Sequence, residues 1–525
     1  MSNLPLKHIV FVPAPSWGHL RPAVKTSLRL VEKFHELFIS LFVYDPEVPK
    51  TTKYLSSQAS SGSNRIRIMG SPFPEVTPPA PPVNPVEIIA YLEKSFKLWI
   101  TQELQRTTMT HVEGHSVGNP ICIIEDLFNG GISLSCKDVH QLPVMAWWTT
   151  TAASLIRQVR SNASVTTSYI DASQHGNEGN GDGGKVFRNI ARQGDISSIK
   201  AGEMYLQEVS SRLICIPGIP PHHEWELATQ YFPFMPAMVA HMIGRRENMI
   251  KQVDIIICCT TFEVEPISAV GLSNAFNKPI TPIFIGPAVD AVISHKSDPN
   301  SLVTQFLERA YAEKGAHSVI YVAFGTAFFP LSSSMPHLMA VLDEIPKAGF
   351  RFIFALPPTR AKQLDESWID AHVQAGNALF PEWTNQIELL AHPAVHYFLS
   401  HGGWSSSTEA LMRGVPMILW PFVSDQPMNT MQIATMHNCG IELLQVRTGP
   451  AKYTAYQNGR EIEIVGTDEA VREEMKQILE LSKGPRGAHQ RTNARLLGKI
   501  IVDSLAPGGS GDLALESLGK VLGAV

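Results

Sequence analysis

Residues 395–420 constrain the fold of this chain more than any other stretch. A short apolar run, Val395-His-Tyr-Phe-Leu399, leads into Ser400-His401-Gly402-Gly403-Trp404-Ser405-Ser406-Ser407-Thr408-Glu409. After Gly414-Val-Pro416 comes a second apolar run, Met417-Ile-Leu-Trp420. Apolar runs of this length, bounded by glycine and proline, read as buried strands, and the segment between them reads as a helix. Strand, tight Gly-Gly turn, helix, strand is the repeating unit of a parallel sheet. The turn points backbone N–H groups and hydroxyls at one spot, as a diphosphate requires.

The same alternation recurs along the chain. His8 to Pro13 reads as a strand, Arg21 to Phe34 as a helix and Leu37 to Tyr44 as a strand, with further strands at Ile121–Ile124, Val144–Trp147 and Ile255–Cys258. A second series comprises Val319–Phe324, Arg351–Ala355, Val395–Leu399 and Met417–Trp420. A chain of 525 residues exceeds one ordinary core. Two series therefore predict an α/β protein of two Rossmann-like, doubly wound domains facing each other across a cleft, with ligands at the carboxyl ends of the strands. The expected division is 1–276, a connector at 277–301 punctuated by Pro279, Pro282, Pro287 and Pro299, a second domain at 302–505 and a closing segment at 506–525. Thr467-Asp-Glu opens a helix with acids in its first turn, and Pro507-Gly-Gly-Ser510 breaks the helix expected after about Arg491.

Composition excludes several classes. A formal net charge of −5, with Lys and Arg scattered, argues against a nucleic-acid binder. Six cysteines without a C-x-x-C make neither a disulfide framework nor a zinc site, and Cys122 and Cys258-Cys259 read as buried free thiols. The N-terminus runs straight into a strand without a signal-peptide pattern, and no apolar stretch is long enough to span a bilayer. The expectation is a cytoplasmic monomer without a membrane anchor.

Three segments stand apart. Ser71 to Val86 is proline-rich and is not expected to form regular helix. Ser173 to Lys185 is a flexible loop by composition. It contains Gly179-Asn-Gly181-Asp-Gly183-Gly184, which fits the dinucleotide-binding pattern G-x-G-x-x-G but lacks the preceding strand that pattern needs. Met235 to Met242 is methionine-rich and reads as core, as the wall of an apolar pocket, or as a face that touches membrane.

The box is completed by Trp383-Thr-Asn-Gln386, His392-Pro393 and Pro421-Phe-Val-Ser-Asp425-Gln426. In order and spacing it resembles the nucleotide-sugar signature of the UDP-glycosyltransferases, family-1 enzymes that glycosylate small lipophilic acceptors. Gly18-His19-Leu-Arg-Pro22 and Glu125-Asp126-Leu-Phe128 resemble the acceptor-side motifs of that family. Pro217-Gly218-Ile-Pro220, Thr261-Phe262-Glu263, Gly286-Pro287 and Ser318 to Thr326 are further echoes. The likeness runs from about residue 8 to residue 518. It implies a GT-B architecture, with an N-terminal acceptor domain, a C-terminal UDP-sugar domain and a last helix packed back on the N-terminal domain. The implied reaction is inverting transfer, with UDP-glucose as the expected donor, giving β-O-glucosides of hydroxylated acceptors such as phenolics. A sterol or lipid acceptor, another nucleotide sugar, or a silent binding protein of the same fold are the alternatives; His19 together with Asp126 argues against the last.

Sugar transfer needs a stabilised leaving diphosphate, an acceptor stripped of its proton, and the two held in line. No Asp-x-Asp pair is present to hold a divalent metal, so neither metal nor cofactor is expected. The helix N-terminus behind Gly402-Gly403, with Ser405 and Ser406, can hold phosphates instead. His401 stands beside it as a donor, and Thr326 can add a hydroxyl. The resemblance assigns Glu409 to the ribose hydroxyls, although Ser406-Ser-Thr-Glu409 also reads as a capping box. It further assigns Trp383 to stacking on uracil with Gln386 nearby, and Trp404, Asp425 and Gln426 to the sugar, the glutamine being associated with glucose. Where plant members carry Asn, this chain has Ser405. His19 is the candidate base, at the end of the first strand, and Asp126 is its candidate partner. Glu125, one residue away on a strand end, is expected to face the other way. Trp17, Trp147, Met235 and Met238 are the candidate acceptor-pocket residues, with the proline-rich loop and the Trp147–Thr150 turn.

Overall fold

The computed structural model describes residues 4–524 apart from 59, 72, 74–75, 80–84, 107–109, 160–167, 171–199, 201–202, 204–212 and 291–297. The glycine-rich stretch 173–185, with its G-x-G-x-x-G pattern, lies outside the described residues.

Seven parallel strands form the first sheet: β1 (Leu6–Val12), β2 (Leu37–Phe42), β3 (Ile66–Met69), β4 (His115–Asp126), β5 (Val144–Trp148), β6 (Ile255–Cys258) and β7 (Thr281–Phe284). They lie in the order β7-β6-β5-β4-β1-β2-β3, and the short strand Thr110–Val112 pairs antiparallel with β4. The second sheet is β8 (Val319–Ala323), β9 (Arg351–Phe354), β10 (Ala378–Leu379), β11 (Val395–Ser400), β12 (Met417–Leu419) and β13 (Gly440–Glu442). Its order is β10-β9-β8-β11-β12-β13, parallel throughout. Helices cover such sheets on both faces, so the strands are continuous apolar runs, and Val10, Phe11, Ile39, Val322 and Leu399 are fully buried.

Both sheets reverse strand order once, between β1 and β4 in the first and between β8 and β11 in the second. Crevices open at these points, beyond the carboxyl ends of the strands. After β1 comes helix α1 (Trp17–Lys33), carrying His19; Asp126 ends β4. After β8 comes Gly325-Thr326, and after β11 comes His401-Gly402-Gly403 leading into α2 (Trp404–Met412).

The connector expected at 277–301 holds a strand: Thr281–Phe284 pairs in parallel with β6. Pro282 is tolerated because β7 is the edge strand, where one side needs no ladder hydrogen bonds. In the proline-rich stretch a helix does begin, at Pro85, and proline at a first helical position loses no intrahelical bond. The helix expected from about Arg491 starts earlier, at Pro485, and runs to Leu505. Thr467 caps the helix Asp468–Lys483, its hydroxyl accepting from the Ala470 N–H at 3.2 Å.

Two segments cross between the halves. The last helix, Ser510–Val521, buries Leu515 and Leu518 in the core that holds Ile9, Val24 and Phe34, and Asp512 pairs with Lys33 at 2.6 Å. In the opposite direction, residues 225–235 of the N-terminal half sit in the C-terminal one. Phe232 and Met235 join its core beside Phe324 and Phe422, and the Gln230 N–H donates to the Phe422 carbonyl at 3.0 Å. Below them the buried Arg447 guanidinium donates to Glu226 at 2.8 Å and to Glu442 at 2.6 Å.

Candidate active site

On the N-terminal side, α1 starts at Trp17 and places the His19 ring against the end of β4. Nδ1 of His19 lies 2.7 Å from Oδ2 of Asp126. Asp126 is fully buried and also accepts from the N–H groups of Ala14, at 3.2 Å, and Phe128, at 2.9 Å. These donors fix the carboxylate, and the carboxylate fixes the imidazole tautomer and its orientation. Burial works against a charged His19, but the carboxylates of Asp126 and, farther off, Asp425 outweigh it and raise its pKa. Glu125 turns to the other face of the sheet, where Ser133 donates to it through N–H and hydroxyl; burial pushes its carboxyl up to about 7.

On the C-terminal side, Gly403 is the N-cap of α2 in an extended conformation, and no side chain caps the helix. The capping box, the alternative reading of Ser406 and Glu409, therefore does not form, because the helix begins at Trp404 and Ser406 lies inside its first turn. Glu409 instead accepts from Arg21 of α1, across the cleft, and from Gln386 Nε2 at 2.7 Å. Gln386 Nε2 also lies 3.4 Å from the Ser406 hydroxyl. His401 packs against Gly325, where a Cβ would lie 2.9 Å from the ring, so the left-handed Gly325 (φ 70°) makes room for the imidazole. Burial pushes the His401 pKa down to about 4, so the ring is neutral near pH 7, and its buried Nδ1 has no hydrogen-bond partner among the described residues. Thr326 is exposed beside this turn, and Trp383 is 76 % exposed, an apolar ring held in solvent at the rim.

The remaining expected sugar contacts divide. Asp425 accepts from the Thr150 hydroxyl at 2.9 Å and from Asn429 Nδ2 at 2.7 Å, and Asn429 Nδ2 also donates to the Gly402 carbonyl at 3.0 Å. This chain of bonds ties the His19 side of the cleft to the Gly402-Gly403 turn. Gln426 is buried, and its Oε1 accepts from the Phe422 N–H at 3.0 Å, which leaves the amide nitrogen for other contacts. The Trp404 indole is turned into the core and donates to the Cys259 carbonyl at 3.0 Å. Only the main chain of Trp404 thus faces the cleft side of the helix start.

The acceptor-side candidates need correction. Trp147 is fully buried, edge-on to Phe11 beneath α1, and does not reach the cleft. Alternation along β5 puts Trp148 on the other face, where it stacks on Phe128 with centroids 4.9 Å apart. The Phe128 ring in turn meets His19 at 4.6 Å. Thr150 and Thr151 of the same turn dock on Asn429 rather than line a pocket. Met235 belongs to the C-terminal core, whereas Met238 and Met242 of the helix Met235–Gln252 pack on the N-terminal core. Trp17 packs edge-on against Tyr54 at 5.3 Å under the Lys50 ammonium. Sequence reasoning placed Phe128 in an acceptor-side motif and Trp148 in the acceptor turn but gave no role to Arg246, whose guanidinium lies over the Phe128 ring that meets His19. Among the described residues no group of three or more His, Cys, Asp or Glu is placed to hold a metal ion, and no helix is long and apolar enough to cross a membrane.

Comparison with known proteins agrees with this geometry. The family model for UDP-glucoronosyl and UDP-glucosyl transferases matches residues 271–448. A UDP-glycosyltransferase, eriJ of Hericium erinaceus, is 26% identical over 467 residues, covering 84% of each chain. UDP-glycosyltransferase 71K2 of Pyrus communis is 23% identical over 513 residues, 91% of this chain and 94% of that one. Among solved structures, Phytolacca americana UGT2 complexed with UDP-2fluoro-glucose and pterostilbene superposes with a TM-score of 0.68 at 20% identity, over 98% of this chain and 100% of that one. A UDP-glucosyltransferase from Polygonum tinctorium gives 0.69 at 19% identity, over 99% of both. The two Rossmann-like sheets are thus those of the GT-B fold, and the family match over residues 271–448 together with these relatives supports a UDP-glycosyltransferase enzyme.

Proposed function

We propose that the protein transfers glucose from UDP-glucose to a hydroxyl of a small lipophilic acceptor, inverting the anomeric centre and requiring no metal. The observation that carries this reading is the His19–Asp126 pair on one wall of the cleft, facing a Gly402-Gly403 turn held by Asn429, with Asp425, bonded to that Asn429, near enough for its charge to act on His19. The acceptor O–H gives its proton to Nε2 of His19, since Nδ1 is held by Asp126. The acceptor oxygen then forms a bond to the anomeric carbon while the bond from that carbon to the diphosphate oxygen breaks, its electrons leaving with UDP. Asp126 stabilises the imidazolium that results. Free N–H groups at the start of α2, the Ser405 and Ser406 hydroxyls and the neutral His401 receive the charge developing on the diphosphate. Glu409 and Gln386 take the ribose, Trp383 the uracil, and Asp425 with the Gln426 amide nitrogen the sugar. Attack opposite the leaving group converts an α-linked donor into a β-glucoside.

The test is mass spectrometry after incubation with UDP-glucose, a panel of phenols, flavonoids and sterols, and EDTA. Products one hexose heavier than their acceptors are expected; transfer only from another UDP-sugar, or none while UDP still binds, would overturn the reading. His19→Ala should lower turnover by about 10²–10⁴-fold, the range of general-base catalysis, with UDP affinity by calorimetry unchanged. Loss of both together would refute the assigned role.

A further inference from the structure

Beside His19 lies a guanidinium that none of the roles above uses. Arg245 and Arg246 are consecutive on the helix Met235–Gln252, yet their surroundings differ. Arg245 is paired with Glu93. Arg246 has no ion-pair partner among the described residues; it donates through Nη1 to the neutral Gln158 amide, and its buried Nε has no partner. The Arg246 guanidinium sits 5.5 Å from the centre of the Phe128 ring, the same ring that meets His19 at 4.6 Å. Base and guanidinium are thus one aromatic ring apart. Asp126 is the carboxylate whose charge acts on Arg246 against burial, and its oxygens are already engaged by His19, Ala14 and Phe128. Burial pushes Arg246 down only to about 10, so it stays charged at neutral pH.

A part-buried, uncompensated cation is costly, and the cost is recovered when an anion completes it. A guanidinium takes a carboxylate through two parallel hydrogen bonds. Phe128 and Trp148 supply the flat apolar surface between that contact and the base. We propose that Arg246 anchors a carboxylate on the acceptor, so that the acceptor class is a hydroxylated aromatic acid whose hydroxyl lies at His19. This rests on the transferase reading above. The carboxylate stays ionised and unmodified, and the new glycosidic bond forms at the hydroxyl.

The experiment compares 4-hydroxycinnamate with its methyl ester as acceptors for UDP-glucose, using the full chain, Arg246→Gln, Arg246→Lys and, as a control, Arg245→Gln. The expected result is an acid-over-ester preference of about tenfold in kcat/KM, the scale of one charged hydrogen-bonded contact. Arg246→Gln should erase the preference through KM for the acid, and Arg246→Lys should restore part of it. Arg245→Gln should keep it. Equal or better use of the ester by the unmodified chain overturns the proposal and leaves the transferase reading standing. Absence of transfer to any phenol while UDP binds overturns both. If Arg246→Gln loses UDP binding through misfolding, the acid-to-ester ratio of the unmodified chain and of Arg246→Lys still decides.

Discussion

At the scale of single residues, the His19–Asp126 pair makes a prediction about pH. His19 must be neutral to accept a proton. Burial lowers its pKa, but the Asp126 carboxylate, with help from Asp425, raises it above 6.5 overall. The acid limb of the kcat/KM profile should therefore lie above that of an ordinary histidine, with activity rising as pH climbs through it. Asp126→Asn removes the larger attraction, so the limb should move to lower pH while the plateau falls, because the amide no longer stabilises the imidazolium. A limb that stays in place would assign the titration to another group. Strand alternation made this pair legible in the sequence: it separated Asp126 from Glu125, which turned to Ser133. At β5 the same rule sets Trp147 and Trp148 on opposite faces, and only the folded packing shows that Trp148 is the one that meets Phe128. Arg246 carried no signal of its own, because a lone arginine on a mixed helix is read from what surrounds it in space.

At the scale of elements, the parallel strands were the most legible feature, since burial on both faces leaves an unbroken apolar run. The short pieces were not. β7 hid behind Pro282, and the hairpin of Thr454–Gln457 and Arg460–Glu463 went unread although Asn458-Gly459, both at positive φ, marks its turn. That hairpin is fastened by Glu226, whose Oε1 accepts from the N–H groups of His223 and Tyr456, both at 2.9 Å, while its Oε2 takes Arg447. Arg447→Ala leaves two carboxylates buried without their cation. A loss of about 3–5 kcal/mol is expected for breaking such a buried cluster, measurable as a lower midpoint in urea unfolding. An unchanged midpoint would mean that water compensates both acids.

At the scale of the whole molecule, two sheets with a cleft between them followed from two series of apolar runs. The traffic between the halves did not, because which core a segment joins depends on partners distant in the chain. Residues 225–235 precede β6 of the first sheet yet contribute Phe232 and Met235 to the second core. The closing helix makes the reverse crossing. This bears on building hybrids with relatives. A chimera joined near residue 300 would take its N-terminal half from one parent and the bed for Phe232 and Met235 from the other. It should express poorly and melt early, whereas one that also moves residues 225–235 with the C-terminal half should recover. Equal melting of the two hybrids would show that the plug tolerates a foreign socket, and recovery would place the real seam for recombination upstream of β6, inside the sequence of the first domain.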